Sequence, residues 1–370
     1  MRIFLKRLHK WLSIPVGIII TIVCLTGAIL VFQDEILELS NSSHYFIKDN
    51  IEEDPIPLHT LIPIVNAQLD SNRVASVQIS DDPARTYRMT LKEGFRVTAF
   101  VNQYTGEITG FYKFQESPFY PVMTLHRWLM DGTRTWGKYI VGISTLIFVF
   151  ILISGFIVWM PRKMNRSRFK IQWRKGKKRL FYDMHNVLGA YACLVLLIGA
   201  LTGLMWSFEW YRNTVFRIFG AEVQQTQSQG RTQRGGGQKK EGREELNITH
   251  WQDIFDSLKG SNHDYEYIRM EDGSASVHLK SYVTSRAVDK YTFDKRSGEI
   301  TNTILFKDQE TTIKVWAWAY SLHVGNYWGI WSKIFTCIFS LIGASLPVTG
   351  YYIFFVKRKK KKTKTEVRNT

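Results

Sequence analysis

LHKWLSIPVGIIITIVCLTGAILVF, the stretch Leu8–Phe32, decides how the rest of the chain is read. Its apolar run is long enough for one helix to cross a bilayer core, which takes about 20 residues. No small-residue cleavage site follows, so a retained first span is expected rather than a signal peptide. A histidine opens the stretch and Thr26-Gly27 sits near its far end. The pattern returns 176 positions later as MHNVLGAYACLVLLIGALTGLMWSF, Met184–Phe208. There His9, Leu12, Ile22, Leu25, Thr26, Gly27 and Phe32 recur as His185, Leu188, Ile198, Leu201, Thr202, Gly203 and Phe208. Two more apolar runs alternate with these, one preceded by Thr124-Leu125-His126 and the other by Ser321-Leu322-His323. Trp136-Gly137 and Ser154-Gly155 in the second run are echoed by Trp328-Gly329 and Thr349-Gly350 in the fourth. The chain is expected to be two copies of span, outer segment, span, an organisation that places function where the halves meet.

The 370 residues are 45% hydrophobic and carry a formal charge of +17. Such a charge can mark a nucleic-acid binder, so its placement decides. Residues 161–180 hold ten Lys or Arg and no acid, Lys357–Lys364 hold seven, and the first ten residues hold four. Every block flanks an apolar run, which is the positive-inside pattern of a multi-pass membrane protein with cytosolic termini; nucleic acid is not needed. The expected layout is a first span (1–32), an outer segment (33–136), a second span (137–160), a basic cytosolic loop (161–184), a third span (185–208), a second outer segment (209–326), a fourth span (327–356) and a basic cytosolic tail (357–370). Both outer segments give the same order of signals: an amphipathic stretch (Pro57–Leu69; Thr249–Leu258), alternating runs, then a strand–turn–strand with glycine at the turn, at Gly106 and Gly298. The fold class is therefore a mainly α membrane protein with four transmembrane helices in two repeated halves and two small α+β periplasmic domains. Residues 224–245, rich in Gln, Gly, Arg and Lys, read as a disordered insertion. Cys24, Cys193 and Cys337 lie in apolar runs without paired spacing and read as small hydrophobes.

A histidine at a membrane span is costly without a partner or a cavity. One alone is ordinary snorkelling, but four in two duplicated contexts point to a site. His9 and His185 fall near the cytosolic face, His126 and His323 near the outer face. Two imidazoles at a level are too few for a bare metal ion. They suffice as the axial ligands of a haem, whose apolar macrocycle suits a helical bundle. Two bis-histidine b-type haems are expected, one on His9/His185 and one on His126/His323; no Cys-x-x-Cys-His is present for covalent attachment. Gly27 and Gly203 each follow their histidine by eighteen residues, five helical turns or about 27 Å. They, with Gly155 and Gly350 at the opposite level, are expected to let the backbone approach the porphyrin. Arg7, Lys10, Arg127 and Arg134 are candidate partners for haem propionates, while Trp11, Trp128, Trp136 and Trp328 fit an interfacial belt. His44, His59, His250, His263 and His278 read as solvated loop residues.

Leu8-His9-Lys10-Trp11, Leu25-Thr26-Gly27, Tyr104-Thr-Gly-Glu-Ile108, Leu125-His126-Arg127-Trp128, Met184-His185-Asn186 and Ser297-Gly-Glu-Ile300 together resemble the PepSY-associated transmembrane family of bacterial inner-membrane proteins, over nearly the whole chain. The resemblance implies PepSY-like outer domains and, by similarity to FoxB-type ferric-siderophore reductases, a transmembrane ferric reductase with His9, His126, His185 and His323 as haem ligands. Electrons would run from a quinol or cytosolic donor through both haems to a periplasmic ferric siderophore or other ferric chelate, releasing the softer, weakly held Fe(II). Two rival expectations stand beside it: a non-enzymatic PepSY regulator or binding module of the envelope, and a transporter of iron chelate or haem. The transporter lacks intramembrane acids and paired broken helices.

Overall fold

The computed structural model describes residues 1–48, 51, 54–70, 72–160, 169–221 and 246–366. The insertion expected at 224–245 lies outside the described residues, as do 161–168 of the basic loop and 367–370 of the tail. In chain order the helices are α1 (Arg2–Leu30), α2 (Gln33–Ser40), α3 (Ser42–Tyr45), α4 (Leu58–Gln68), α5 (Phe119–Trp128), α6 (Trp136–Trp159), α7 (Lys177–Ser207), α8 (Glu209–Ile218), α9 (Trp251–Ser261), α10 (Thr311–Val324) and α11 (Gly329–Glu366). The strands are β1 (Val74–Ser80), β2 (Tyr87–Leu91), β3 (Val97–Val101), β4 (Ile108–Lys113), β5 (Tyr265–Glu271), β6 (Ser274–Leu279), β7 (Asp289–Phe293) and β8 (Ile300–Ile304). The chain divides into two compact units: residues 1–32, 121–214 and 322–370 form one, and residues 33–120 and 215–321 the other.

The first unit is helical. Four helices are long and apolar enough to cross a membrane: α1, α6, α7 and the part of α11 from Gly329 to Val356. They pack in a ring in which α1 meets α6 and α11, and α7 meets the same two. Ala192, Leu196, Ala200 and Leu204 recur every fourth residue on α7 and form one buried stripe, the spacing that keeps side chains on one helix face. Val16 and Ile20 of α1, Phe148 and Leu152 of α6 and Leu346 of α11 complete this core. Large apolar residues also point outward, with Ile18 66% and Leu194 67% exposed. A helix apolar all round finds a stable setting in lipid.

The second unit is built on a single sheet of order β4-β3-β2-β1-β5-β6-β7-β8, antiparallel throughout. Each outer segment contributes one packed helix, α4 or α9, and four consecutive strands. The two small domains expected from the sequence are joined here: β1 pairs with β5, with Val77 opposite Met270 and Ile79 opposite Ile268. Without that pairing both strands would be open edges, a state that invites association. Leu61 and Val65 of α4 and Ile254 and Leu258 of α9 cover one face, against Val77, Met89, Ile268 and Met270. The hairpin turns hold Gly106 at φ 78° and Gly298 at φ 74°, where a Cβ would be strained.

Candidate functional site

The four histidines come together in two pairs, both in the helical unit. The His9 and His185 ring centres are 6.3 Å apart with planes at 80°. Those of His126 and His323 are 6.1 Å apart at 58°. His9 and His185 lie on the spans α1 and α7. His126 and His323 lie on separate short helices, α5 and α10, that end before α6 and α11 begin. Asp131 fixes the bend between α5 and α6 by accepting hydrogen bonds from the backbone N–H of Thr133, Thr135 and Gly137.

All four rings are held in the same way, each by the neighbouring helix. His9 Nδ1–H donates to the Ile151 carbonyl (3.0 Å), with Ser154 Oγ at 3.3 Å. His185 donates to the Leu346 carbonyl (3.1 Å), with Thr349 Oγ1 at 3.0 Å. His126 donates to Val23 (3.0 Å) beside Thr26 Oγ1 (3.1 Å), and His323 to Gly199 (3.0 Å) beside Thr202 Oγ1 (3.2 Å). A carbonyl can only accept, so the proton sits on Nδ1 in every ring. Each hydroxyl in turn donates to its own helix backbone, as Thr26 does to Ile22 (2.7 Å) and Thr202 to Ile198 (2.7 Å), leaving a lone pair toward the imidazole. The Nε2 lone pairs remain, and among the described residues no Nε2 of the four makes a hydrogen bond. Anchoring Nδ1–H on a carbonyl while Nε2 stays open is how proteins orient a metal-ligating histidine. Burial, with His323 beside it, pushes His126 down to about 4, which keeps the ring neutral.

The glycines sit against these rings. A Cβ added at Gly155 would lie 2.9 Å from His9 Cε1, at Gly203 3.1 Å from His323 Cε1, at Gly27 3.2 Å from His126 Cε1 and at Gly350 3.4 Å from His185 Cε1. The sequence suggested that glycine leaves room for a macrocycle; the contact observed is with the imidazole itself. In the sequence the hydroxyl preceding each glycine is only a repeat anchor, yet Ser154, Thr26, Thr202 and Thr349 complete the four cradles. Four Ser/Thr-Gly dipeptides were the available signal.

The fit to a haem can be tested on these distances. Two Nε2 atoms, each ~2.0 Å from a shared metal, put the ring centres about 6 Å apart. Both pairs have that separation. Of the candidate propionate partners, Lys10 lies 4.7 Å over the Trp11 ring, Arg127 and Arg134 lie 4.7 and 4.9 Å over Trp128, and Arg7 is exposed. Of the histidines read as solvated, one is buried and two more are partly covered and make contacts. His278 is 4% exposed, donates through Nδ1 to Ala287 and meets Glu266 at 3.3 Å. His44 packs on Phe100, and the imidazole of His250 donates to the Arg296 carbonyl. His278 sits on β6 between the rings of Tyr267 and Tyr282, a contact that composition alone does not show.

No curated protein matches this chain. A family model, the PepSY-associated TM region, matches residues 6–358. Proteins of that family are generally non-catalytic membrane and regulatory modules. Among the described residues no group of three or more His, Cys, Asp or Glu could hold a metal ion. The family's generally non-catalytic character corrects the expected transmembrane ferric reductase, together with its oxidoreductase activity and the electron-transfer role given to its haems. What stands is a multi-pass membrane protein with four candidate spans and an extracellular β-sheet region. With its match running through all four spans and the sheet between them, the chain belongs to the family of PepSY-associated TM regions.

Proposed function

We propose that this chain is a non-enzymatic module of the bacterial cell envelope that holds one b-type haem between His9 and His185 and another between His126 and His323. The sheet unit, built from two PepSY-like halves, serves as its binding or regulatory domain outside the inner membrane. The basic blocks favour cytosolic termini. One observation carries the haem reading: four imidazoles, each with Nδ1–H fixed and Nε2 open, face each other two by two at 6.3 and 6.1 Å.

Each pair takes one histidine from the first half of the chain and one from the second. A haem bound there would supply an apolar plate and two metal–ligand bonds that tie the halves together. Binding to the folded state alone raises stability by mass action, about 2.7 kcal/mol at a hundredfold excess over Kd. The residues' own part is to orient: carbonyls set the tautomer, hydroxyls fix the ring angle, and glycines let the Cε1–Nδ1 edge of each ring approach the neighbouring helix. The level of haem in the membrane would thus be read as rigidity of the bundle.

Haemin titrated into the purified chain in detergent tests this. Low-spin bis-imidazole bands should grow to two equivalents and the melting temperature should rise. A chain that takes up no more haemin than one with all four histidines changed to alanine refutes the proposal.

A further inference from the structure

The sheet unit contains a cavity of about 300 Å³ at the seam between its two halves, within the size range of small-ligand sites. It lies where β1 pairs with β5, and its walls come from both halves: Tyr87 and Gln103 from the first, Phe255 and Tyr265 from the second. Gln252 of α9 crosses the seam, accepting from the Leu58 backbone N–H at 2.9 Å while its Nε2 donates to both oxygens of Asp256 at 3.2 and 3.1 Å. That bond holds the Asp256 carboxylate in place at the cavity wall.

Gln103 gives the site its chemistry. It is 1% exposed, and its Nε2 donates to the Pro83 carbonyl (2.9 Å) and the Arg85 carbonyl (3.2 Å). Two carbonyl partners fix which end of the amide is nitrogen. Oε1 is left buried with no hydrogen-bond partner, a costly state for an acceptor. The hydroxyls of Tyr87 and Tyr265, whose residues are 7% and 8% exposed, also make no hydrogen bond among the described residues. Three carboxylates line the cavity, Asp54, Asp81 and Asp256, against Lys259. Asp81 is taken by Lys280, so Asp54 and Asp256 outweigh the one lining lysine. The rings of Tyr87, Tyr104, Phe255 and Tyr265 supply faces that attract a cation. An anion would meet these carboxylates and an orphan acceptor; an uncharged apolar group would leave Oε1 unpaired.

We infer that this cavity binds a primary ammonium on a short apolar stem, with Gln103 Oε1 and the Asp54 and Asp256 carboxylates as acceptors and the tyrosine rings around the stem. A free alkylamine and the lysine side chain of a partner protein share that chemistry. The site does not depend on haem, since all of its residues lie in the sheet unit.

Calorimetric titration of the full-length chain in lipid nanodiscs with pentylammonium, N-acetyl-lysine N-methylamide and pentanol tests it. An ammonium probe should bind and pentanol should not. Tighter binding of pentylammonium assigns the site to a free amine; tighter binding of the blocked lysine assigns it to a partner side chain. Asp54→Asn, in an exposed loop, and Asp256→Asn should each weaken binding by roughly tenfold, the scale of one charge-assisted hydrogen bond. Gln103→Leu should abolish it, with circular dichroism checking the fold and the two aspartate variants carrying the test if it misfolds. Pentanol binding as well as pentylammonium, no binding of either ammonium, or unchanged affinity in both aspartate variants overturns the inference.

Discussion

Gly155→Ala is the sharpest perturbation of the histidine cradles. The new Cβ would lie 2.9 Å from His9 Cε1, well inside van der Waals contact. The obstacle is an imidazole pinned by Nδ1–H bonds to Ile151 and Ser154, so the ring must swing and give up those bonds. Overpacking costs about 1–3 kcal/mol, and an abandoned buried hydrogen bond about 1–3 kcal/mol more. Replacing a helical glycine by alanine returns about 1 kcal/mol. The balance is roughly 1–5 kcal/mol of loss, or at least a severalfold drop in affinity at the His9/His185 pair. Gly350→Ala is the control. Its Cβ would stand 3.4 Å from His185 Cε1, ordinary contact, so helix propensity wins and the bundle should be unchanged or slightly more stable. Melting temperature of the purified chain reads this without any ligand, and haemin titration reads the pair directly. If Gly155→Ala melts no lower than Gly350→Ala, the cradle account of these glycines is wrong.

Three further outcomes follow from named contacts. Gly27→Leu should disable the His126/His323 pair alone, so haem content falls by one equivalent while the other band persists; loss of both bands would contradict independent pairs. Thr26→Val removes the hydroxyl beside His126 Nδ1 but leaves the Val23 carbonyl; about 0.5–1.5 kcal/mol, seen as a faster haem off-rate at that pair, is expected, and an unchanged rate would discard the hydroxyl's role. In the sheet unit, burial works against protonation of His278, but the hydrogen bonds with Glu266 and the Ala287 carbonyl outweigh it and raise its pKa; Glu266 is held below its ordinary value chiefly by the His278 hydrogen bond. The histidine's contribution is complete below its ordinary value near 6.5 and fades as pH rises through the raised one; the glutamate's fades as pH falls through its lowered one. Hydrogen-exchange protection of β5 and β6 should therefore be greater at about pH 5.5 than at pH 8, and Glu266→Gln should remove that difference; its persistence would point to other groups.

The spans and the histidines were legible because the bilayer makes both expensive to misplace. A run such as Ile14–Phe32 has few alternatives, and an offset that carries His9 onto His185 also carries Thr26-Gly27 onto Thr202-Gly203. Contacts between helices distant in sequence were not legible. That His9 would rest on Ile151 and Ser154, and His126 on Val23 and Thr26, follows from how α1 packs on α6 and α5, which no local pattern encodes. Strand β5 was missed because Tyr265-Glu-Tyr-Ile-Arg-Met-Glu271 intersperses charges with its inward residues. Without β5 the pairing with β1 was invisible, so the continuity of the sheet was not expected. The catalytic expectation came from resemblance to particular family members rather than from any residue outside the four histidines.

The most direct measurement is haem stoichiometry in chains expressed with ample haem precursor and assayed by pyridine haemochrome. The unaltered chain should carry two haems, His185→Ala or His323→Ala should carry one, and the double variant none, with the sheet unit still folded by circular dichroism. A colourless unaltered chain, or a single histidine change that leaves both haems in place, would contradict the paired-imidazole account.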